Sequence, residues 1–204
     1  MLKDYDIYLD DQKYNHSFDD LTPERMTKRK KWAYSYMDVL CNIKSTINFE
    51  TATILDIGCK ELFTTDYFEE KYNNSITGID LYSKIFEYAK QNNKTIIDLD
   101  AHKLLDVFNA EIFDLIIGLH SFEHMYDIQL VIKNCYTALK RGGYLFCVVP
   151  LPSRNIRKGH WADIHDEEHF LERFRNEGFI SEFIKVNHNT IRPEKDIMGL
   201  FKKE

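Results

Sequence analysis

No stretch of apolar residues in this 204-residue chain approaches the roughly 20 needed to cross a bilayer; Leu115-Ile116-Ile117-Gly118-Leu119 is among the longest. A membrane partner is therefore not expected. Positive charge is not in excess either: 27 Lys and Arg stand against 33 Asp and Glu, for a formal net charge of −6. That balance disfavours an extended nucleic-acid footprint, because phosphate binding wants a basic face. The four cysteines, Cys41, Cys59, Cys135 and Cys147, are scattered. No paired spacing suggests a zinc ribbon or a redox motif, and Cys135 and Cys147 fall at apolar positions suited to packed thiols. The opening Met1-Leu2-Lys3-Asp4-Tyr5-Asp6 carries acids where a secretory signal would be apolar. A reducing, cytoplasmic setting is expected. Internal repeats and low-complexity linkers are absent, and the length suits one α/β domain with a modest extension.

What is present divides near residue 50. Residues 1–20 are polar, rich in Asp and Tyr and without a clear period, so a loose arm is expected there. Thr22-Pro23-Glu24 reads as a helix start, with a hydroxyl cap, a proline in the first turn and an acid at the positive end of the dipole. That helix is expected to reach about Lys44, with Trp32, Tyr36, Val39, Leu40 and Ile43 near one face. The basic run Lys28-Arg29-Lys30-Lys31 lies in it and reads as a solvated face rather than a nucleic-acid contact. From residue 51 to 204 strand and helix patterns alternate. Strands are expected near 53–57, 75–79, 95–98, 113–118, 143–149 and 179–186, and helices near 61–71, 83–91, 127–140 and 167–177; 101–109 is ambiguous. Lys140-Arg141-Gly142-Gly143 is a helix stop signal, and Asp196–Phe201 could add a final antiparallel strand. Runs such as Ile54-Leu55 and Cys147-Val148-Val149 look buried on both faces, which predicts an α/β fold: a Rossmann-like, doubly wound, mostly parallel sheet with helices on both sides.

The most telling segment is Thr53-Ile54-Leu55-Asp56-Ile57-Gly58-Cys59, a buried strand running into a tight turn with a carboxylate and a glycine at the bend. A second strand, Ser75-Ile76-Thr77-Gly78-Ile79, ends in Asp80. A nucleotide-binding sheet needs this pair: the glycine admits backbone N–H groups to the ligand, and the second-strand acid accepts from ribose hydroxyls. A nicotinamide site would want Gly-x-Gly-x-x-Gly at the first turn, and only Gly58 is present there.

Taken in order, Asp56-Ile57-Gly58-Cys59, Gly78-Ile79-Asp80, Asp100-Ala101, Phe113-Asp114-Leu115-Ile116-Ile117 and Leu139-Lys140-Arg141-Gly142-Gly143-Tyr144-Leu145 resemble a small, single-domain class I S-adenosylmethionine-dependent methyltransferase. The resemblance covers roughly residues 52–150, with an echo at Gly178-Phe179. It implies S-adenosyl-L-methionine as cofactor. Asp56 and Gly58, with Cys59, would shape the first loop, which holds the amino-acid end of that cofactor, and Lys60 would meet its carboxylate. Asp80 would bind both ribose hydroxyls and Leu81 would pack on the adenine. Asp100 would accept from the adenine amino group, with Ala101 beside the ring; Asp98 is equally placed if the third strand slips by two. His120 and Ser121 would lie near the reacting methyl group. One departure stands out. Members of the family carry further glycines after the first, where this chain has Lys60, Glu61 and Leu62; one glycine suffices if the residues after it keep φ negative.

Five histidines follow the fourth and fifth strands: His120, His124, His160, His165 and His169. Methyl transfer to oxygen or nitrogen can use a general base, and histidine suits neutral pH. His120 is the first catalytic candidate, weighed against a plainly packed histidine, and His160 is the second. His160 falls in a loop from Pro150 to Trp161 that could cover the substrate. His124, in a Glu-His pair also met in the family, reads as structural. His165-Asp166-Glu167-Glu168-His169 matches an inverted zinc-protease pattern, but it reads better as the start of an amphipathic helix, and no metal site is expected. The fourth-strand loop, Leu119-His120-Ser121-Phe122, lacks the signatures of base-modifying enzymes. A small molecule or glycan precursor is therefore the expected acceptor, with oxygen slightly ahead of nitrogen. A non-catalytic partner subunit of the same fold and an RNA methyltransferase are the alternatives.

Overall fold

The computed structural model describes residues 2–14, 22–44, 46–82, 84–152, 160–188 and 195–204. Among the described residues, seven strands form one sheet in the order β3-β2-β1-β4-β5-β7-β6. They are β1 (Ile54–Ile57), β2 (Thr77–Asp80), β3 (Thr95–Asp98), β4 (Phe113–Leu119), β5 (Leu139–Leu151), β6 (Ile180–His188) and β7 (Lys195–Lys202). The first five run parallel, and β7 inserts antiparallel between β5 and β6. The helices are α1 (Leu2–Tyr14), α2 (Pro23–Ile43), α3 (Phe63–Tyr72), α4 (Lys84–Gln91), α5 (Leu104–Val107), α6 (Ile128–Ala138) and α7 (Glu167–Arg175).

Period-two alternation divides the strands' side chains between two cores. From β5, Tyr144, Phe146 and Val148 join Ile54, Leu115 and Ile117 against Met37 and Leu40 of α2 and Phe68 of α3. Leu145, Cys147 and Val149 join Leu55 and Ile116 on the opposite face, against Val131 and Ile132 of α6 and Phe170 and Phe174 of α7. Each such fully buried aliphatic or aromatic side chain stabilises by about 1.5–3 kcal/mol. Burial on both faces is why β1 and the centre of β5 read as unbroken apolar runs. The final antiparallel strand expected at Asp196–Phe201 is present, and Cys135 and Cys147 are packed thiols with no exposure.

Two expectations fail. The N-terminal arm is not loose over its described part: Leu2–Tyr14 is helix. The helix has almost no amphipathic period, so the sequence signal was weak. It is held by aromatic contacts instead. Tyr8 is 2% exposed and meets the rings of Tyr126, His102 and Trp161 at 5.4–5.8 Å. Residues 15–20 of that arm lie outside the described residues. Second, the helix expected to reach residue 140 stops at Ala138, because Leu139 already pairs with Phe113 as part of β5.

The start of α2 is as the sequence reads: Thr22 Oγ1 accepts from the Arg25 N–H at 3.3 Å, with Pro23 in the first turn. The basic run is largely neutralised by the chain's own acids. Lys28 pairs with Glu24 at 2.8 Å, Arg29 with Glu61, and Lys30 with Glu70 at 2.8 Å. Among the described residues no helix is long and apolar enough to cross a membrane.

Candidate active site

A cavity of about 320 Å³ opens at the carboxyl ends of β1, β2 and β4, within the range of about 300–1,000 Å³ usual for small-molecule sites. This is where strand order reverses between β1 and β4, the place at which open parallel sheets bind ligands. All the positions singled out for the cofactor line it: Asp56, Gly58, Cys59, Lys60, Asp80, Leu81, Asp100, Ala101, His120 and Ser121, and so does His160.

The first loop is built by close packing. Gly58 has φ +74°, and its N–H donates to the Ile79 carbonyl at 2.9 Å. Gly78 leaves room for Cys59, since a Cβ there would stand 2.6 Å from the Cys59 sulfur. The loop does not keep φ negative after Gly58. Leu62 sits at φ +60° with no exposure, packed with Cys59, Tyr82 and Ile85. Burial of its side chain offsets the left-handed cost of about 1–2 kcal/mol.

Asp80 closes β2 and fixes the loop beside it. One oxygen accepts from the Lys60 N–H at 3.0 Å and the other from the Tyr82 N–H at 2.8 Å. A carboxylate offers about four acceptor sites, so each oxygen keeps capacity toward the cavity. Burial raises its pKa, against those two backbone donors and Lys60, which lower it. Asp56, 2% exposed, is pushed up to about 7 by burial and by the charges of Asp80 and Glu61, in spite of a hydrogen bond from Thr64.

Asp100, rather than the exposed Asp98, reaches the cavity. Its Oδ1 accepts from the His102 N–H at 3.0 Å and from His102 Nδ1 at 2.6 Å. His102 Nε2 accepts from the Asp127 N–H at 2.9 Å, which places the ring proton on Nδ1. The Tyr5 hydroxyl of α1 donates to Asp100 Oδ2. Burial opposes the Asp100 charge, but these donors outweigh it and hold the pKa below the ordinary value.

The loop after β4 forms the far wall. A Cβ on Gly118 would meet the Phe122 ring at 2.3 Å, so the missing side chain lets Phe122 anchor a 3-10 turn over Phe122–His124. His120, at φ +51°, is held by its N–H to the Val148 carbonyl at 2.8 Å. Its Nδ1 lies 3.3 Å from Glu123 and its Nε2 3.4 Å from Asp196, both carboxylates buried. These are charge contacts rather than aligned hydrogen bonds. Burial pulls the His120 pKa down, and the two acids more than offset it, so the net shift is upward. Trp32 lies over the ring at 4.5 Å, and Tyr36 donates to Asp196 at 2.6 Å. The Ser121 hydroxyl is buried without a protein partner.

Several lining residues escaped the sequence reading: Tyr8 and Gln12 from α1, Arg29 and Trp32 from α2, and Glu123 and Met125. The three tyrosines in the first fourteen residues were the available signal. Of the loop expected to cover the substrate, residues 153–159 lie outside the described residues. His165 and His169 stand apart from the cavity; their rings stack at 4.8 Å, and Asp166 caps α7 by accepting from the His169 N–H at 2.9 Å.

Comparison with known proteins agrees with this geometry. Residues 55–147 match a family model described as a methyltransferase domain. The chain is 27% identical over 138 residues to phosphoethanolamine N-methyltransferase 1 of Zea mays, covering 62% of this chain and 28% of that protein. It is 28% identical over 108 residues to a ubiquinone biosynthesis O-methyltransferase of Coxiella burnetii, covering 51% and 46%. The chain thus spans less than half the length of either. Among solved structures, the trans-methyltransferase CalH in complex with SAH superposes with a TM-score of 0.69 at 19% identity, over 90% of this chain and 60% of that one. Residues 55–147 thus match the methyltransferase-domain family, and the fold is that of solved methyltransferases.

Proposed function

We propose that this chain transfers a methyl group from S-adenosylmethionine to an oxygen or nitrogen of a small molecule or glycan precursor, with oxygen slightly favoured. The observation that carries the reading is Asp80. Its partly buried carboxylate shapes the glycine loop with one acceptor site on each oxygen and keeps further capacity toward the cavity, as ribose recognition requires.

The residues present suit that cofactor. Gly58 makes room for Ser121, whose hydroxyl has no protein partner, and both residues line the cavity. Asp80 would hold the ribose, Asp100 the adenine amino group, with Leu81 and Ala101 on its ring. Lys60 would meet the carboxylate of the amino-acid end. When bound, the cofactor supplies a sulfonium methyl group that is already activated, so the protein's work is to hold donor and acceptor in line and exclude water. With carboxylates against both ring nitrogens, His120 is better suited to hold the reacting end in place than to accept a proton. Trp32 walls it, and His160 is the second histidine of the acceptor end.

The curated relatives include both an O- and an N-methyltransferase, which supports the reaction class without choosing the acceptor. Calorimetric titration with S-adenosylhomocysteine, followed by a radiolabelled transfer screen over metabolites, RNA and protein, tests the proposal. Binding with label in small molecules is the expected result; label confined to RNA or protein would overturn the acceptor assignment. One feature favours the partner-subunit reading: Tyr5 occupies an oxygen of Asp100. Absence of binding heat at millimolar ligand would decide for that reading.

A further inference from the structure

We propose that Glu123, His124 and His160 form a binding site for one divalent transition-metal cation of the Zn2+ type, on the wall of the cavity. The carboxylate and the two imidazoles each offer a ligand atom, and those atoms lie within 4.8 Å of one another. Zinc bonds of about 2.0–2.2 Å hold neighbouring ligand atoms roughly 3.0–3.6 Å apart. Closing that gap takes about an ångström of side-chain adjustment, and the two imidazoles are only partly buried.

Glu123 is the reason to expect a ligand. Its side chain is 1% exposed, and Oε1 is shared between His120 Nδ1 at 3.3 Å and His124 Nε2 at 3.8 Å. Its Oε2 is buried with no hydrogen-bond partner. A buried carboxylate oxygen left in that state is costly, and a cation removes the cost directly.

The backbone brings the third ligand to the other two. The Glu123 carbonyl accepts from the N–H groups of both Trp161 and Ala162 at 3.0 Å. This ties the segment after β5 to the turn that carries Glu123 and His124. The rings of His124 and His160 meet edge to face with centroids 4.8 Å apart. Both residues and Glu123 line the cavity. Two histidines and one carboxylate occupy only part of a coordination sphere, so positions remain for an outside ligand. An acceptor oxygen bound there would lose its proton to water more readily, which favours acceptors with a hydroxyl beside a second oxygen. That role rests on the methyl-transfer reading; the cation site does not.

The sequence's other histidine pair is a poorer site. His169 Nδ1 already accepts from the His165 N–H at 3.3 Å, and Asp166 is engaged as a helix cap. The two pairs therefore make a controlled test. Zn2+ is titrated by calorimetry into chelator-treated full-length protein, and Co2+ is followed by visible absorption as a coordination probe. The wild-type chain should bind one Zn2+. His160→Ala, a change in a loop, should weaken binding by more than about a hundredfold, beyond the usual effect of losing an outer-shell contact. The double variant His165→Ala/His169→Ala should bind as the wild type does. No stoichiometric binding by the wild type, or binding that survives His160→Ala and is lost in the double variant, overturns the proposal. Titrating S-adenosylhomocysteine into the chelated wild-type protein is read separately. Failure there removes the methyl-transfer reading and leaves the cation result standing.

Discussion

Gly58 and Ser121 are packed so closely that a Cβ on Gly58 would stand 2.5 Å from the Ser121 Cβ. This contact joins the loops after β1 and β4, the two walls of the cavity, at the point where strand order reverses. Gly58→Ala should therefore fail twice. The residue would be strained at φ +74°, at a cost of about 1–2 kcal/mol, and the overlap adds about 1–3 kcal/mol. Urea denaturation should show a combined loss of about 2–5 kcal/mol, and Ser121→Gly in the same chain should recover the overlap part. A Gly58→Ala protein as stable as the wild type would show that the loops are not in contact.

Leu62 holds a left-handed backbone conformation that glycine adopts freely, and a glycine there separates backbone strain from packing. Leu62→Gly relieves a left-handed leucine, worth about 1–2 kcal/mol. It also empties a fully buried position beside Cys59 and Tyr82, and such large-to-small changes cost about 2–5 kcal/mol. The net expectation is a loss of up to roughly 4 kcal/mol in chemical denaturation. A gain in stability would mean that strain, not burial, dominates this loop.

The hydroxyl of Tyr5 takes one of the two acceptor sites on Asp100 Oδ2, the oxygen left to the proposed adenine amino group because His102 takes Oδ1 twice. Tyr5→Phe should leave that oxygen to the ligand and tighten S-adenosylhomocysteine binding by about three- to tenfold, the value of one hydrogen bond to a charged group less what reordering consumes. Weaker binding in Tyr5→Phe would instead make α1 part of the bound site.

Asp56 gives a pH signature whose sign runs against the usual carboxylate. Its folded pKa is raised from 3.8 to about 7, so the native state keeps a proton that the unfolded chain has released. Stability should fall as pH climbs from about 4 to about 7 and change no further from this source above that. Asp56→Asn cannot release a proton. The difference in urea midpoint between the two proteins should grow in favour of the variant across that window. A constant difference would mean that Asp56 is ionised in the fold.

The frame of the site was legible because its signals are local. Ile54-Leu55 buried on both faces, Asp80 at a strand end and a Thr-Pro start to α2 each declare themselves within a few residues. What was missed depends on distant partners. Tyr5 and Tyr8 belong to a helix that exists through contacts with residues near 100, 126 and 161, and no period within α1 could announce it. In the sequence Arg29 reads as one member of a basic face, whereas in the fold Glu61 stands opposite it. Glu123 read as half of a structural pair, because its burial and its neighbour His160 come from folding the segment after β5 onto the turn. The choice between Asp98 and Asp100 likewise turned on where β3 ends.

Asp80 is where fold and proposed function meet most directly, and the choice of substitution matters. Alanine would remove both acceptors for the Lys60 and Tyr82 N–H groups, so a loss of binding could reflect a collapsed loop. Asn keeps the shape and one acceptor oxygen while removing the charge and turning a donor toward the other N–H. Each lost hydrogen bond to a charged group is worth about 1.5–3 kcal/mol. If both ribose hydroxyls bind here, Asp80→Asn should weaken S-adenosylhomocysteine by at least about a hundredfold. The same variant's thermal unfolding distinguishes the two causes. A midpoint close to the wild type with binding lost supports ribose recognition, and unchanged affinity refutes it. If both the midpoint and the affinity fall, 2′-deoxy-S-adenosylhomocysteine decides: the wild type should bind it more weakly than the parent ligand, and the variant should not distinguish the two.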